Sequence, residues 1–127
     1  SKLANLLFTF ELQRRLEAKG SKAVAMAAHP GWTGTDLQRH SGFIRFFNFF
    51  FAQTPPMGAL PTLRAATDPE AESGDYFGPK GFYEMRGYPV RVNTTPAARN
   101  EVDARRLWEV SEKMTGVSFE SLKTYVA

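Results

Sequence analysis

AVAMAAHPGWTGTDL, residues 23–37, is the stretch that decides the fold. The run of small apolar residues from Ala23 to Ala28 has no polar alternation, which is typical of a central parallel strand covered on both faces. The strand stops at Pro30 and Gly31, and a loop of glycine and hydroxyl-bearing residues follows. Because an open α/β sheet offers such loops to ligands at the carboxyl ends of its strands, we expect this loop to contact a ligand.

The composition indicates one ordinary globular domain. The 127 residues are 43% hydrophobic and 23% charged, which argues against disorder. The 16 basic and 13 acidic residues are interleaved, whereas nucleic-acid recognition needs a clustered basic patch, so we expect no nucleic-acid partner. The chain has no cysteine, which excludes disulfides within it and is compatible with a reducing compartment, and we expect a cytoplasmic location.

The first helix is expected from Lys2 to Lys19. Apolar residues recur at helical spacing on more than one face of its first turns, which indicates burial between layers or at a subunit contact and leaves a homodimer open. Its later turns, around Arg14 and Arg15, are expected to be solvated, and Gly20 lies where a left-handed cap belongs. Because the chain opens inside this helix without a cap, we expect it to be a segment of a longer protein.

Further elements follow in the order helix, short strand, helix. A helix is expected over residues 54–68, with Thr54 as its N-cap and with Pro61 kinking or dividing it. A brief strand is expected at 75–77, little regular structure over 80–92, and a last helix over 97–115 that ends at Gly116. The apolar residues Leu107, Val110 and Met114 mark one face of this helix. The order predicts an α/β fold, the C-terminal part of a doubly wound parallel sheet that is incomplete on its own.

Residues 36–53 contain an unusual aromatic run, GFIRFFNFFFA, with six phenylalanines. The run is about half the roughly 20 residues that a membrane span needs, and Arg45 and Asn48 interrupt it, so we expect no transmembrane segment. Three interpretations stay open. The first is a mobile helical lid over a lipophilic substrate pocket, the second is a plain core segment, and the third is a surface that adsorbs to membranes.

Several motifs in order sharpen this interpretation: SKLANLLF at 1–8, HPGWTGTDL at 29–37, GALPTLRAATDP at 58–69, YFGP at 76–79 and LWEVSE at 107–112. Together they resemble the C-terminal half of a short-chain dehydrogenase/reductase of the retinol-dehydrogenase-like branch. The resemblance covers essentially the whole chain. It implies that residues 1–127 are the C-terminal segment of a single NAD(P)-binding Rossmann domain, whose N-terminal half is the partner of this segment.

The family's catalytic signature is Y-x-x-x-K, and Lys2 matches its lysine. The matching tyrosine would lie upstream of Ser1, outside this sequence, as would the catalytic serine and the glycine-rich loop for the cofactor pyrophosphate. Residues four apart share a helix face, so the ammonium can lower the pKa of the phenol and can also hold the nicotinamide ribose. Without the resemblance, Lys2 would be an ordinary solvated lysine.

The resemblance also implies a binding site for NAD or NADP after the strand. Pro30 and Gly31 match the family's Pro-Gly turn, where the backbone approaches the nicotinamide. Thr35 matches a threonine whose hydroxyl binds the carboxamide or a phosphate, and Thr33 is expected to contribute backbone groups, although both also suit helix capping. Trp32 is expected to flank the nicotinamide or to pack in the core.

The two histidines have no partner at metal-ligand spacing, so we expect no metal site, and His29 is interpreted as a strand-end residue that fixes the loop. By position in the family, the aromatic run favours a substrate lid, in which Phe43, Phe46 and Phe47, with Tyr83 from a later segment, would line the pocket.

The sequence thus predicts part of an NAD(P)-dependent oxidoreductase that interconverts a lipophilic alcohol and a ketone or aldehyde. Two alternatives remain. One is an inactive family member that serves as a binding or scaffold protein, since fold does not fix function. The other is a membrane-surface or oligomer-interface module built on the phenylalanine run.

Overall fold

The computed structural model describes residues 2–31, 54–81 and 87–122. Their order is α1 (Lys2–Ala18), β1 (Ala27–Ala28), α2 (Pro55–Thr67), β2 (Tyr76–Pro79), β3 (Pro89–Arg91), a 3-10 turn (Pro96–Arg99), α3 (Glu101–Thr115) and a second 3-10 turn (Glu120–Leu122). These residues form two compact units. Unit 1 draws on Ser1–Met26, Glu72–Gly74 and Asn93–Ala127, and unit 2 on Ala27–Ala71 and Asp75–Val92. None of the described helices combines the length and hydropathy that crossing a bilayer requires.

The core of unit 1 lies between α1 and α3, and α1 also packs on the first 3-10 turn. The Phe8 ring stacks on Trp108, with centroids 5.0 Å apart and planes inclined by 11°. The Arg99 guanidinium lies 3.9 Å from the centre of the Phe10 ring. Among the described residues of this unit, the buried apolar side chains are Leu7, Phe10, Ala25, Ala98, Ala104 and Trp108.

A buried carboxylate, Glu11, lies on α1 and is only 4% exposed. It accepts hydrogen bonds from Arg14 Nη2 and Arg15 Nε, each at 2.8 Å, which compensates for the loss of water around its charge. Arg15 also lies 4.6 Å from the centre of the Trp108 ring and donates to the carbonyl of Leu122 at 3.5 Å. The expectation that this part of α1 is solvated is therefore wrong for Arg15, because its partners come from distant parts of the sequence.

Glycines end both helices of unit 1, as predicted. Gly20 follows α1 with φ +63°, and its N–H donates to the carbonyl of Glu17 at 2.9 Å. Gly116 caps α3 with φ +68°, and its N–H donates to the carbonyl of Glu112 at 2.9 Å. Both adopt the left-handed conformation that glycine tolerates best at a helix end.

The start of α3 differs from the predicted helix over 97–115. Pro96–Arg99 form a 3-10 turn, and α3 begins only after Asn100. The Asn100 side-chain oxygen accepts hydrogen bonds from the N–H groups of Val102 and Asp103, at 3.0 and 3.1 Å. Asparagine is a strong N-cap, so the α-helix starts afresh there instead of continuing from the turn.

The buried residues of α3 differ from the apolar row that its sequence shows. Ala104 and Trp108 are buried, whereas Val110 and Met114 are 45% and 81% exposed. The stacking of Trp108 on Phe8 orients the helix, and residues 104 and 108 are four apart on one face. The exposure of Val110 and Met114 shows that apolar spacing alone does not define the buried face of this helix.

Unit 2 contains a three-stranded sheet in the order β1-β2-β3. β1 is parallel to β2, with Ala27 opposite Tyr76 and Ala28 opposite Phe77. β3 is antiparallel to β2, with Gly78 opposite Val90. α2 packs on all three strands, and its Arg64 guanidinium lies 5.4 Å from the centre of the fully buried Phe77 ring. The α/β class is confirmed, and the described sheet is mixed rather than all-parallel.

β1 is shorter than the predicted strand over 23–28 and lies at an edge of the described sheet. Its ladder begins where the Ala27 N–H donates to the carbonyl of Asp75 at 2.9 Å. Just upstream, the Ala25 N–H instead donates to the Ser73 hydroxyl at 3.4 Å, and Gly74 adopts φ +86°. Because the segment beside it turns at residues 73 and 74, that segment offers Ala23–Met26 no extended strand to pair with.

α2 is one continuous helix, although Pro61 was expected to kink or divide it. The Pro61 ring is fully buried, so its packing offsets the missing backbone hydrogen bond. Thr54 occupies the N-cap position without a side-chain cap bond among the described residues. Pro55 and Pro56 follow it, and they have no N–H groups that would need a partner.

β3 corrects the expectation of irregular structure over 80–92. The Lys80 N–H donates to the carbonyl of Tyr88 at 2.9 Å, and the Val92 N–H donates to the carbonyl of Tyr76 at 2.8 Å. Arg91 binds Asp75 at 2.8 Å and also donates to the carbonyl of Glu70. These partners are distant in sequence, so they cannot be recognised from the local pattern. Pro89 also argues against a strand at this place, and the strand was therefore not predicted.

Candidate functional site

A tight turn, His29-Pro30-Gly31, leaves the sheet at the carboxyl end of β1. The His29 N–H donates to the carbonyl of Phe77 at 2.9 Å and thereby extends the pairing of β1 with β2 by one residue. Gly31 then adopts φ +68°, in the left-handed region that favours glycine. Pro30 is exposed, so this turn presents accessible backbone at the sheet edge where α/β proteins bind ligands.

The side chain of His29 closes the turn. Its Nδ1 accepts a hydrogen bond from the Gly31 N–H at 3.2 Å. In the neutral ring, an accepting Nδ1 leaves the proton on Nε2. The interpretation of His29 as a strand-end residue that fixes the loop agrees with this geometry.

Gly78 of β2 is a site residue that the sequence did not reveal. A Cβ built at position 78 would lie 2.0 Å from Nε2 and 2.6 Å from Cδ2 of His29, so the imidazole occupies the space that a side chain would take. The Tyr76 ring lies beside the imidazole, with centroids 5.2 Å apart. The signal was present in the YFGP motif, but only the register of β1 on β2 shows which residue faces the glycine.

Lys2 lies in the first turn of α1, and its side chain is exposed. Lys2 belongs to unit 1, whereas Pro30 and Gly31 belong to unit 2. The structure thus joins Pro30 and Gly31 to His29 and Gly78, and it shows Lys2 as an exposed cation on α1.

The other predicted site residues lie outside the part of the chain that the structure describes. They are Trp32, Thr33 and Thr35 for the cofactor, and Phe43, Phe46, Phe47 and Tyr83 for the substrate. The predicted lid over residues 36–53 falls there as well. All of these assignments stay predictions.

Within residues 2–31, 54–81 and 87–122, no three His, Asp or Glu side chains are grouped so that they could hold a metal ion.

In unit 2, the carboxyl group of Asp68 has a shifted pKa. The hydrogen bond that Arg64 Nε donates to Asp68 at 2.8 Å, with a further one from the Glu70 N–H, holds the pKa of Asp68 below its usual range. Asp68 caps the C-terminus of α2, so this ion pair serves the fold.

Unit 1 contains an apolar cavity of about 240 Å³ between Phe8, Trp108 and Phe119. The polar groups on its wall are already engaged. Ser111 donates to the carbonyl of Leu107 at 2.7 Å, and Glu112 accepts from the Phe119 N–H at 3.2 Å. We regard this cavity as a feature of helix packing, since it offers a ligand little beyond apolar contact.

Known proteins resemble this chain over almost its entire length. Human retinol dehydrogenase 11 is 40% identical over 126 residues, which cover 94% of this chain and 36% of that protein. Mouse polyprenol dehydrogenase is 34% identical and covers 91% of this chain and 34% of its own length. A crystal structure of a protein from Mycobacterium paratuberculosis superimposes with a TM-score of 0.70 at 38% identity, covering 94% of this chain and 38% of that one. No protein-family model matches the chain.

These similarities confirm the family resemblance. Over nearly its whole length, the chain is a homologue of the retinol dehydrogenases, which are short-chain dehydrogenases/reductases. It spans about a third of the length of these relatives.

Proposed function

We propose that this chain is the C-terminal part of the Rossmann domain of an NAD(P)-dependent oxidoreductase that interconverts a lipophilic alcohol and its ketone or aldehyde. The similarity to retinol dehydrogenase 11 over 94% of the chain carries this proposal. The name of polyprenol dehydrogenase, a second relative, supports a lipophilic alcohol as the substrate class. A cytoplasmic location remains part of the proposal.

The His29-Pro30-Gly31 turn fits the nicotinamide end of the cofactor. Gly31 has no side chain and takes φ +68°, so backbone groups can come close to a planar ring. The turn follows a parallel strand at the sheet edge where dinucleotides bind in open α/β folds. The cofactor supplies hydride chemistry, and in our proposal Pro30 and Gly31 orient it, with Trp32, Thr33 and Thr35 completing the site.

Lys2 has the role of the family's lysine in this proposal. Its exposed ammonium can bind ribose hydroxyls. In the full-length protein α1 would extend upstream, and the ammonium would then stabilise the phenolate of a tyrosine four residues earlier on the same helix face. That tyrosine, outside this chain, would exchange the proton with the substrate oxygen. The aromatic run at 36–53, with Phe43, Phe46 and Phe47, would exclude water from the reacting groups.

The decisive experiment measures NAD(P)-dependent oxidation of retinol by the full-length protein that contains this segment. Lys2→Ala should lower kcat by about 100-fold or more, because it removes the charge that supports proton transfer. Lys22→Ala removes another exposed lysine of unit 1 and should leave kcat unchanged. Wild-type activity in the Lys2 variant would contradict the assignment.

A second measurement addresses the cofactor site. Thr35→Val should raise the cofactor Kd about fivefold, which corresponds to one hydrogen bond of about 1 kcal/mol. An unchanged Kd would count against a contact between this hydroxyl and the cofactor. Absence of turnover with an intact fold and bound cofactor would instead favour the scaffold alternative.

A further inference from the structure

The pairing of β1 with β2 places His29 beside a gap in the sheet surface. Ala27 lies opposite Tyr76 and Ala28 opposite Phe77, so the next position of the parallel register sets His29 opposite Gly78. Alternate residues of a strand point to the same face, which puts His29, Tyr76 and Gly78 together on one face. Phe77 points to the opposite face, where Arg64 of α2 covers it.

Gly78 is needed here for space. A Cβ at this position would lie 2.0 Å from the His29 Nε2 atom, which is far too close for two heavy atoms that are not bonded to each other. Gly78 is buried in β2, which is paired with β1 on one side and β3 on the other, so its backbone cannot easily move away. The glycine therefore forms a seat for the imidazole.

The seated imidazole holds the turn. Its Nδ1 accepts the Gly31 N–H at 3.2 Å, and the His29 backbone N–H is bonded to the carbonyl of Phe77 at 2.9 Å. Gly31 is thus connected to β2 through the imidazole ring. Gly78 leaves the space that the ring occupies, and Tyr76 lies beside the ring.

We propose that His29, seated on Gly78, is a positioning residue that holds the Pro30-Gly31 turn in the conformation that binds the nicotinamide. This inference rests on the proposed function. His29 acts through the turn, whose accessible backbone would meet the cofactor. Loss of its Nδ1 acceptor therefore loosens the turn and weakens cofactor binding, and it leaves the chemical step unchanged.

A matched pair of variants in the full-length protein tests the acceptor. In His29→Asn the side-chain oxygen can replace Nδ1, whereas His29→Leu has nearly the same size and no acceptor. Titration with NADH and NADPH should give a higher Kd for His29→Leu than for His29→Asn, and the energy of one internal hydrogen bond limits the difference to about fivefold. Their kcat at saturating cofactor should agree, and the loss of one internal hydrogen bond should lower the thermal midpoint of His29→Leu by only a few degrees. The change in Kd at constant kcat is the readout that a merely structural role would not give.

A second test addresses the seat. Gly78→Ala should raise the cofactor Kd, because the new methyl group displaces the imidazole from Gly31. In the His29→Ala background the same change should have no further effect on Kd, since the ring is already gone. If Gly78→Ala yields no folded protein, the pair of His29 variants decides alone.

The outcomes separate this inference from the proposed function. A wild-type protein that binds neither NADH nor NADPH overturns the proposed function and this inference with it. A wild-type protein that binds cofactor, with equal Kd values for the asparagine and leucine variants, overturns only the positioning role of His29. Additive effects of the changes at positions 29 and 78 overturn the role of Gly78 as the seat.

Discussion

Substitutions at Trp108 separate ring packing from hydrogen bonding in the core of unit 1. The side chain is 2% exposed, stacks on Phe8 and lies under the guanidinium of Arg15. Its Nε1–H is buried and makes no hydrogen bond to any residue that the structure describes. The ring should therefore stabilise unit 1 through contact area, while the orphaned N–H opposes that stabilisation.

The expected magnitudes follow from these contacts. Trp108→Ala removes the whole ring and should lower the free energy of unfolding by about 3–5 kcal/mol. Trp108→Phe loses roughly 2 kcal/mol of apolar burial but relieves a penalty of about 1–3 kcal/mol for the N–H. The two terms nearly cancel, so the phenylalanine variant should lie within about 1 kcal/mol of wild type.

The assay is urea unfolding of the full-length protein, followed by far-ultraviolet circular dichroism and extrapolated linearly to water. Val102→Ala is the matched control, because Val102 lies on the same helix but is 76% exposed, and the control should change stability by less than about 0.5 kcal/mol. A phenylalanine variant as unstable as the alanine variant would refute the reasoning, since it would mean that the indole N–H makes a stabilising bond.

Three further predictions concern helix ends. Asn100→Ala should lower the free energy of unfolding by about 1 kcal/mol in the same urea assay, because two capping hydrogen bonds are lost. Asn100→Asp should keep both bonds, and equal losses of stability in the two variants would argue against the cap. Gly116→Ala should cost about 1–2 kcal/mol from its φ of +68° alone, because nothing lies within 4 Å of the added Cβ; calorimetry with no change in Tm would contradict this. Arg64 holds the pKa of Asp68 low, so the carboxylate stabilises the fold above about pH 4 and this stabilisation is lost as the pH falls through the lowered pKa. Asp68→Asn should therefore lower Tm at about pH 7 and not at about pH 2, and an equal difference at both values would exclude the ion pair as the cause.

The sequence predicted those elements whose causes are local. The helix ends at Gly20 and Gly116 depend on one residue in the left-handed region, and apolar spacing in the first turns located α1. The termination of β1 before Pro30 follows from the chemistry of a Pro-Gly turn.

The elements that it missed depend on partners far along the chain. β3 is a strand because β2 pairs with it, and Arg15 is half-buried because Trp108 and Leu122 lie next to it. Such pairings cannot be read from propensities, which describe a residue and its immediate neighbours.

The candidate site divides in the same way. The Pro30-Gly31 turn and the role of His29 could be predicted from the sequence, because both follow from residues adjacent in the chain. The participation of Gly78 could not, since it depends on the register between two strands separated by α2.

The make-up of unit 1 has a consequence for biosynthesis. Its core joins α1, near the start of this chain, to α3, near the end, so Phe10 and Leu7 leave the ribosome long before Trp108. At the usual elongation rates of about 5–20 residues per second, the interval is on the order of ten seconds. During that time the apolar face of α1 has no α3 to cover it, whereas all three strands of unit 2 are already synthesised when α3 emerges. Nascent chains arrested before Glu101 should therefore be the species most prone to aggregation and most readily bound by chaperones.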